Sequence, residues 1–114
     1  MRRKSILVEI ADNIVRNIYK KTIDFPYKYQ SSIGDQLRRA SFSIILNIVE
    51  SAAKFYENER KQYLKTAFSS LKESKYLLFF CKTVNLITDN CYQGYINELD
   101  RLARLLYGII SKNV

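Results

Sequence analysis

Glu50 and Glu73 are acidic side chains that neighbouring helices in the middle of this chain could bring face to face. Facing carboxylates are a usual start of a metal site in a helical protein, which then adds Glu-x-x-His pairs. This sequence has no histidine, hence no imidazole base and no imidazole ligand. It also lacks a glycine-rich phosphate loop and a nucleophile motif. Catalysis is therefore not expected, and neither is a metal or a cofactor. Cys81 and Cys91 are too far apart in sequence, and too short of further ligands, for a metal pair. A disulfide could span a helix–helix turn; buried free thiols of a cytosolic protein are the expected state.

The chemistry that remains is binding by charge. Lys61, Lys65, Lys72, Lys75 and Lys82, placed on a helix, fall within about a third of its circumference. They predict one basic stripe down the outside of a long helix. A solvated face would explain exposed lysines, but such a face mixes signs, and the acid here is Glu73 alone, projecting away from the stripe. Arg38 and Arg39 are candidate additions. The net charge of +8 and pI near 9.6 attract nucleic acid, an anionic membrane or an acidic protein, without choosing among them. Of the nine tyrosines, Tyr27, Tyr29 and Tyr56 flank loops and are expected to be exposed. The others fall mostly on helix seams or near helix ends, where tyrosine is commonly a core residue with a wet hydroxyl, so the case for base stacking is weak.

A second pattern lies on the helix predicted from Ile33 to about Tyr56. Gln36, Ala40, Ser43, Asn47, Glu50 and Lys54 recur at steps of four and three, which puts a small, polar strip on an otherwise apolar helix. It has three readings. Asn47 and Glu50 could join Ser70 and Glu73 of the next helix, or Arg39, in a buried network that fixes register. Small residues Ala40, Ser43 and Ser51 could admit a helix of another copy. The strip could also bind a ligand.

Four amphipathic helices would position these groups. The first runs from about Ser5, a candidate N-cap, to Lys21, with Leu7, Ile10, Ala11, Ile14 and Ile18 inward. Asp24-Phe25-Pro26 stops it, with Phe25 tucked back as a plug. The second starts after Ser31 or Ser32 and ends near Lys54 to Tyr56. The third spans about Arg60 to Leu86, with Tyr63, Leu64, Ala67, Leu71, Ser74, Leu78 and Cys81 inward. The fourth follows Thr88-Asp89-Asn90 and runs to Ser111 along a seam from Tyr92 to Ile110. Short connections make this an all-α, antiparallel, up-down-up-down four-helix bundle, one domain over residues 1–114. Arg2-Arg3-Lys4 before SILVEI has the look of a leader, but Glu9 and Asp12 interrupt the apolar run, so no targeting segment is expected. The longest uncharged run, Ala40 to Val49, is too short to cross a bilayer, and a cytoplasmic location without membrane attachment is expected.

QLRRASFSIILNIVES and the later EN-ERKQYLKTAFSSLKES together resemble a bacterial four-helix-bundle family. It includes proteins encoded in intervening sequences of large-subunit rRNA genes and the accessory variability determinant of diversity-generating retroelements. The resemblance is carried by the Phe25-Pro26 break, Gln36, Arg38-Arg39-Ala40, Ser43-Ile44, Asn47-Ile48, Glu50, Tyr63-Leu64, Ser70-Leu71 and Glu73. Ile45, Ser51 and Leu77 stand where the family usually has Pro, Gly and often Gln, departures that bear on subgroup more than on fold. The resemblance implies a small bundle assembled into a ring, commonly a homopentamer. In the retroelement branch it implies binding to nucleic acid and to a reverse transcriptase.

Overall fold

The structure is a computed structural model that describes residues 2–112, with side chains from Ile6 onward. It contains helices α1 (Arg2–Thr22), α2 (Tyr27–Gln30), α3 (Ile33–Ala52), α4 (Glu57–Thr83) and α5 (Asp89–Ile110), and no strand among the described residues. Side-chain contacts fix their directions. Ser43 meets Ser70, and Ser51 meets Arg60, so α4 runs back along α3. Lys75 meets Asp100 and Lys82 meets Asp89, so α5 runs back along α4. Tyr95 reaches Asn17, and Ile6 shares a groove with Ile109, so α1 opposes α5. The four long helices therefore alternate in direction, each packed on two neighbours in the cyclic order α1, α3, α4, α5. The expected up-down-up-down bundle is the observed one, with a single turn, α2, added between the first two long helices.

The inward positions form one core. Ile14 and Ile18 of α1, Leu37, Ile44 and Ile48 of α3, Leu71 and Leu78 of α4, and Leu99, Leu102 and Leu106 of α5 are fully buried. Burial of this apolar surface is the main stabilising term.

Helix ends differ from expectation in informative ways. α1 begins at Arg2, which puts Ser5 inside the helix and not at its cap; its side chain lies outside the described set. The stop at Phe25-Pro26 is as expected, and Phe25 is buried as a plug. Pro26 then precedes the unforeseen turn α2, a place that suits its fixed φ. Ser32 precedes α3 but makes no capping bond; its hydroxyl donates to the Lys28 carbonyl instead. α3 stops at Ala52, short of the expected Lys54, because Arg60 Nη1 donates to the carbonyls of Lys54 (2.9 Å) and Phe55 (2.7 Å) and folds the chain over. α4 starts at Glu57, three residues early, with Glu57 and Glu59 in the first turn where the helix dipole favours acids. It ends at Thr83, because Asn85 takes a left-handed φ of 65°. The amide of Leu86 donates to Cys81 and that of Asn85 to Lys82, the paired bonds of a Schellman stop. Thr88 caps α5, its hydroxyl accepting from the Cys91 amide at 3.1 Å.

Candidate nucleic-acid interface

The five lysines share one side of α4, but that side is not uniformly the outside of the bundle. α5 packs along its edge and takes three of them. Lys75 Nζ pairs with Asp100 at 2.6 Å and Lys82 with Asp89 at 3.8 Å, while Lys61 donates to the Lys112 carbonyl. The expected all-outward stripe is thereby corrected: the acids that balance it come from α5, which local spacing on α4 could not reveal. Lys65 and Lys72 remain exposed, with Lys72 Nζ 5.3 Å from the centre of the Phe68 ring and no acid paired with either among the described residues. Glu73, on the same helix, turns to the α3 side, where it shares a shallow groove with Gln36 and Arg39.

The arginines also divide. Arg38 is half-buried and structural. Its Nη2 donates to the Gln30 carbonyl at 2.7 Å and its Nη1 to Gln30 Oε1 at 3.3 Å. Gln30 Nε2 in turn donates to the carbonyls of Thr22, Ile23 and Phe25, closing the end of α1. Arg38 is therefore removed from the list of free phosphate contacts. Arg39 is exposed and paired with Asp35 at 2.9 Å, an exchangeable surface pair.

The polar strip on α3 forms a network smaller than expected. Ser43 and Ser70 hydroxyls are 2.7 Å apart, Asn47 Nδ2 donates to the Ser43 carbonyl (2.8 Å) and hydroxyl (3.1 Å), and Ser74 donates to the Ser70 carbonyl. Ala40 is buried beside it. Glu50 is outside the network and holds Lys54 at 3.4 Å, a hydrogen bond that raises the ammonium's pKa. Gln36 and Glu73 are exposed and take no part. The α3–α4 seam is narrow here and fits hydroxyls and one amide; the longer acids swing out to water.

Of the loop tyrosines, Tyr27 and Tyr56 are exposed, but Tyr29 packs half-buried against the core. Cys81 and Cys91 are free, and burial pushes the Cys81 thiol up to about 11. Desolvation, then a hydrogen bond with Cys91, raises the Tyr95 phenol. No trio of Cys, Asp or Glu among the described residues is placed to hold a metal ion, and no described helix is long and apolar enough to cross a membrane.

Sequence reading missed Arg101 and Arg104, both exposed on α5 with no salt-bridge partner among the described residues. Their three-residue spacing opposite the Leu99–Leu102–Leu106 seam was the available signal. Arg101 shares a groove with Glu9 and Glu98, whereas Arg104 lines one with Lys112.

With this geometry in view, the sequence pattern of the 23S rRNA-intervening sequence protein family matches residues 3–108. The chain belongs to that family. Among solved structures, it is similar to a protein of unknown function from the S23 ribosomal protein family of Bacteroides thetaiotaomicron VPI-5482, with 20% identity and a TM-score of 0.87. That likeness covers 96% of this chain and 99% of the other, and it concerns the fold. No curated protein matches the chain. In this member of the family, several residues that carry the resemblance build the bundle: Arg38 braces the α1–α3 connection, and Ser43, Asn47 and Ser70 join α3 to α4. Ser51 donates to the Arg60 carbonyl at 3.0 Å and adds a link at the α3–α4 corner.

Proposed function

We propose that this protein is a non-enzymatic, basic helical bundle that assembles with copies of itself and binds RNA or DNA, mainly through phosphates. The observation that carries this reading is the outward face of α4. Lys65 and Lys72 stand exposed there with no salt-bridge partner among the described residues, on a chain of net charge +8. Lys61 and Lys75 lie at the inner edge of that face, committed to α5, and Arg104 and Lys112 add positive charge beyond it, in the groove between α5 and α1. Ammonium groups without partners attract a polyanion by displacing its counterions, so affinity should fall steeply with salt and depend little on sequence. Filter binding to RNA across a salt series tests this. The expected result is binding at low salt, with the log–log slope reduced by about 0.7–0.9 for each of Lys65→Gln and Lys72→Gln. Lys75→Gln should change the slope less, since its charge already faces Asp100. No affinity at low salt, or an affinity flat in salt, would overturn the reading.

A second reading, a protein-binding ring scaffold without a nucleic-acid role, is favoured by one other observation. The outer face of α3 exposes Phe42, Leu46 and Val49 in a row. In that reading the partner is another protein, with a reverse transcriptase the candidate that the resemblance supplies. Charge reversal at Lys65 and Lys72, set beside Leu46→Glu in the α3 row, separates the two. Loss of RNA binding supports the first; loss of a protein partner with RNA binding intact supports the second.

A further inference from the structure

We infer that the outer face of α4 carries a site for single-stranded nucleic acid, in which Tyr76, Phe79 and Phe80 stack on unpaired bases while Lys65 and Lys72 hold adjoining phosphates. The inference rests on the nucleic-acid reading above and names the form of the ligand.

The placement comes from helix geometry. Lys65, Lys72, Tyr76, Phe79 and Phe80 occupy about 100° of the circumference, and Lys65 lies about 21 Å along the axis from Phe79. The core side of α4 is filled by Leu71, Ser74, Leu77, Leu78 and Cys81, so the aromatics are not needed there. They point out: Tyr76 is 62% exposed, Phe79 44% and Phe80 39%. The Tyr76 hydroxyl has no hydrogen-bond partner among the described residues. Three large aromatics on one turn of a solvent-facing helix form an apolar surface that is costly unless something covers it.

Part of this surface is held rigid. Phe79 meets Tyr92 of α5 edge-on, with ring centres 6.3 Å apart and planes at 62°. Lys82 Nζ sits 5.6 Å from the centre of Phe79 and 4.9 Å from that of Tyr92, fixing both rings on one side. The opposite edge of Phe79, most of Tyr76 and the outer part of Phe80 are left to solvent.

The chemistry of the patch selects its occupant. Lysines are depleted in the cores of protein–protein interfaces, yet here Lys65 and Lys72 adjoin the aromatics, with the nearby acid, Glu73, set at the α3 edge of the patch in the groove with Gln36 and Arg39. Aromatic rings next to unpaired cations are what a single strand requires: each base offers a face to stack, and each phosphate a charge to neutralise. A duplex has the phosphates but hides the faces of its bases. The apolar row on α3, which has no lysine among Phe42, Leu46 and Val49, lacks this combination.

The test measures binding of the full chain to an unstructured oligouridylate and to an RNA hairpin with a long stem and a compact tetraloop whose bases are stacked internally, for the unsubstituted protein, Tyr76→Ala, Phe80→Ala and the pair Lys65→Gln/Lys72→Gln. Tyr76→Phe serves as the conservative control. Each aromatic-to-alanine change should weaken single-strand binding roughly tenfold, leaving hairpin binding and the salt slope unchanged. Tyr76→Phe should keep the affinity. The lysine pair should weaken both ligands and flatten the slope. Equal loss of single strand and hairpin on removing the aromatics, or no loss at all, overturns the stacking site while a surviving lysine dependence keeps the phosphate reading. Absence of RNA binding in the unsubstituted protein sinks both. If the aromatic variants instead lower the assembly mass with RNA binding unchanged, the patch is a contact between copies and the inference is wrong.

Discussion

Gly34 and Cys81 show how single residues are constrained by neighbours that sequence does not place beside them. A Cβ on Gly34 would lie 2.8 Å from the Tyr29 carbonyl oxygen, a backbone atom fixed by the α2 turn. Gly94, by contrast, has nothing within 4 Å. Alanine gains up to about 1 kcal/mol of helix propensity at an open site. At Gly34 the overpacking cost of about 1–3 kcal/mol should outweigh it. Urea unfolding should therefore show Gly34→Ala destabilised and Gly94→Ala unchanged or stabilised. At Cys81, burial holds the thiol neutral up to about pH 11, above the value near 8.5 of a free thiol. Its folded pKa is raised, so its contribution is complete below the unfolded value and is lost as pH rises toward the folded one. Unfolding free energy should fall by on the order of 2 kcal/mol more between about pH 8 and 11 in the unsubstituted protein than in Cys81→Ala. Tyr95, also raised, adds to the fall at the upper end in both. Native alkylation should mark the half-buried Cys91 well before Cys81.

At the level of elements, the inward faces could be read from spacing because a helix repeats its face every three or four residues whatever it packs against. Leu64, Ala67, Leu71, Ser74, Leu78 and Cys81 are buried as that spacing required. The ends were harder, since a helix end is decided by what satisfies its free carbonyls and amides. Asn85 stopped α4 through a left-handed φ, a role open to Asn and easily passed over within an apolar run. Gln30 closed α1 from eight residues away, and Arg38 was spent on holding Gln30. The candidate site suffered in the same way: the lysine spacing on α4 was right, but the acids that claimed Lys75 and Lys82 sit on α5. Gln30→Ala should leave the carbonyls of Ile23 and Phe25 without their donor, the latter part-buried, and leave the Thr22 carbonyl with the Phe25 amide alone. A loss of about 1–3 kcal/mol is expected in urea unfolding. Arg38→Lys should lose part of that amount, because an ammonium cannot reach the carbonyl and the side-chain oxygen of Gln30 in the planar manner of a guanidinium.

For the whole molecule, the distribution of exposed apolar surface bears on assembly. The row Phe42, Leu46 and Val49 lies on the outside of α3, and Tyr19 of α1 extends it by an edge-on contact with Phe42 at 6.4 Å. A separate, mainly apolar groove between α1 and α5 is lined by Ile6, Leu105, Gly108 and Ile109, with Arg104 and Lys112 also on its wall. Two different apolar patches on one molecule suit a head-to-tail contact, in which each copy offers its α3 row to the groove of the next, and a closed series of such contacts is a ring. An isologous dimer would use the α3 row twice and leave the groove bare. Leu46 is 60% exposed and Leu105 39%, so a charge at either should spare the core. Light scattering should find the unsubstituted protein well above 13.4 kDa, and both Leu46→Glu and Leu105→Glu close to it. Mixing the two variants is the decisive step. Each retains the surface the other has lost, so a head-to-tail contact forms once and stops, giving a species of twice the monomer mass. If the α3 row pairs with itself, Leu105→Glu keeps the assembly and the mixture gains nothing. A mass of 13.4 kDa for the unsubstituted protein would remove the ring and leave the apolar row to a different protein.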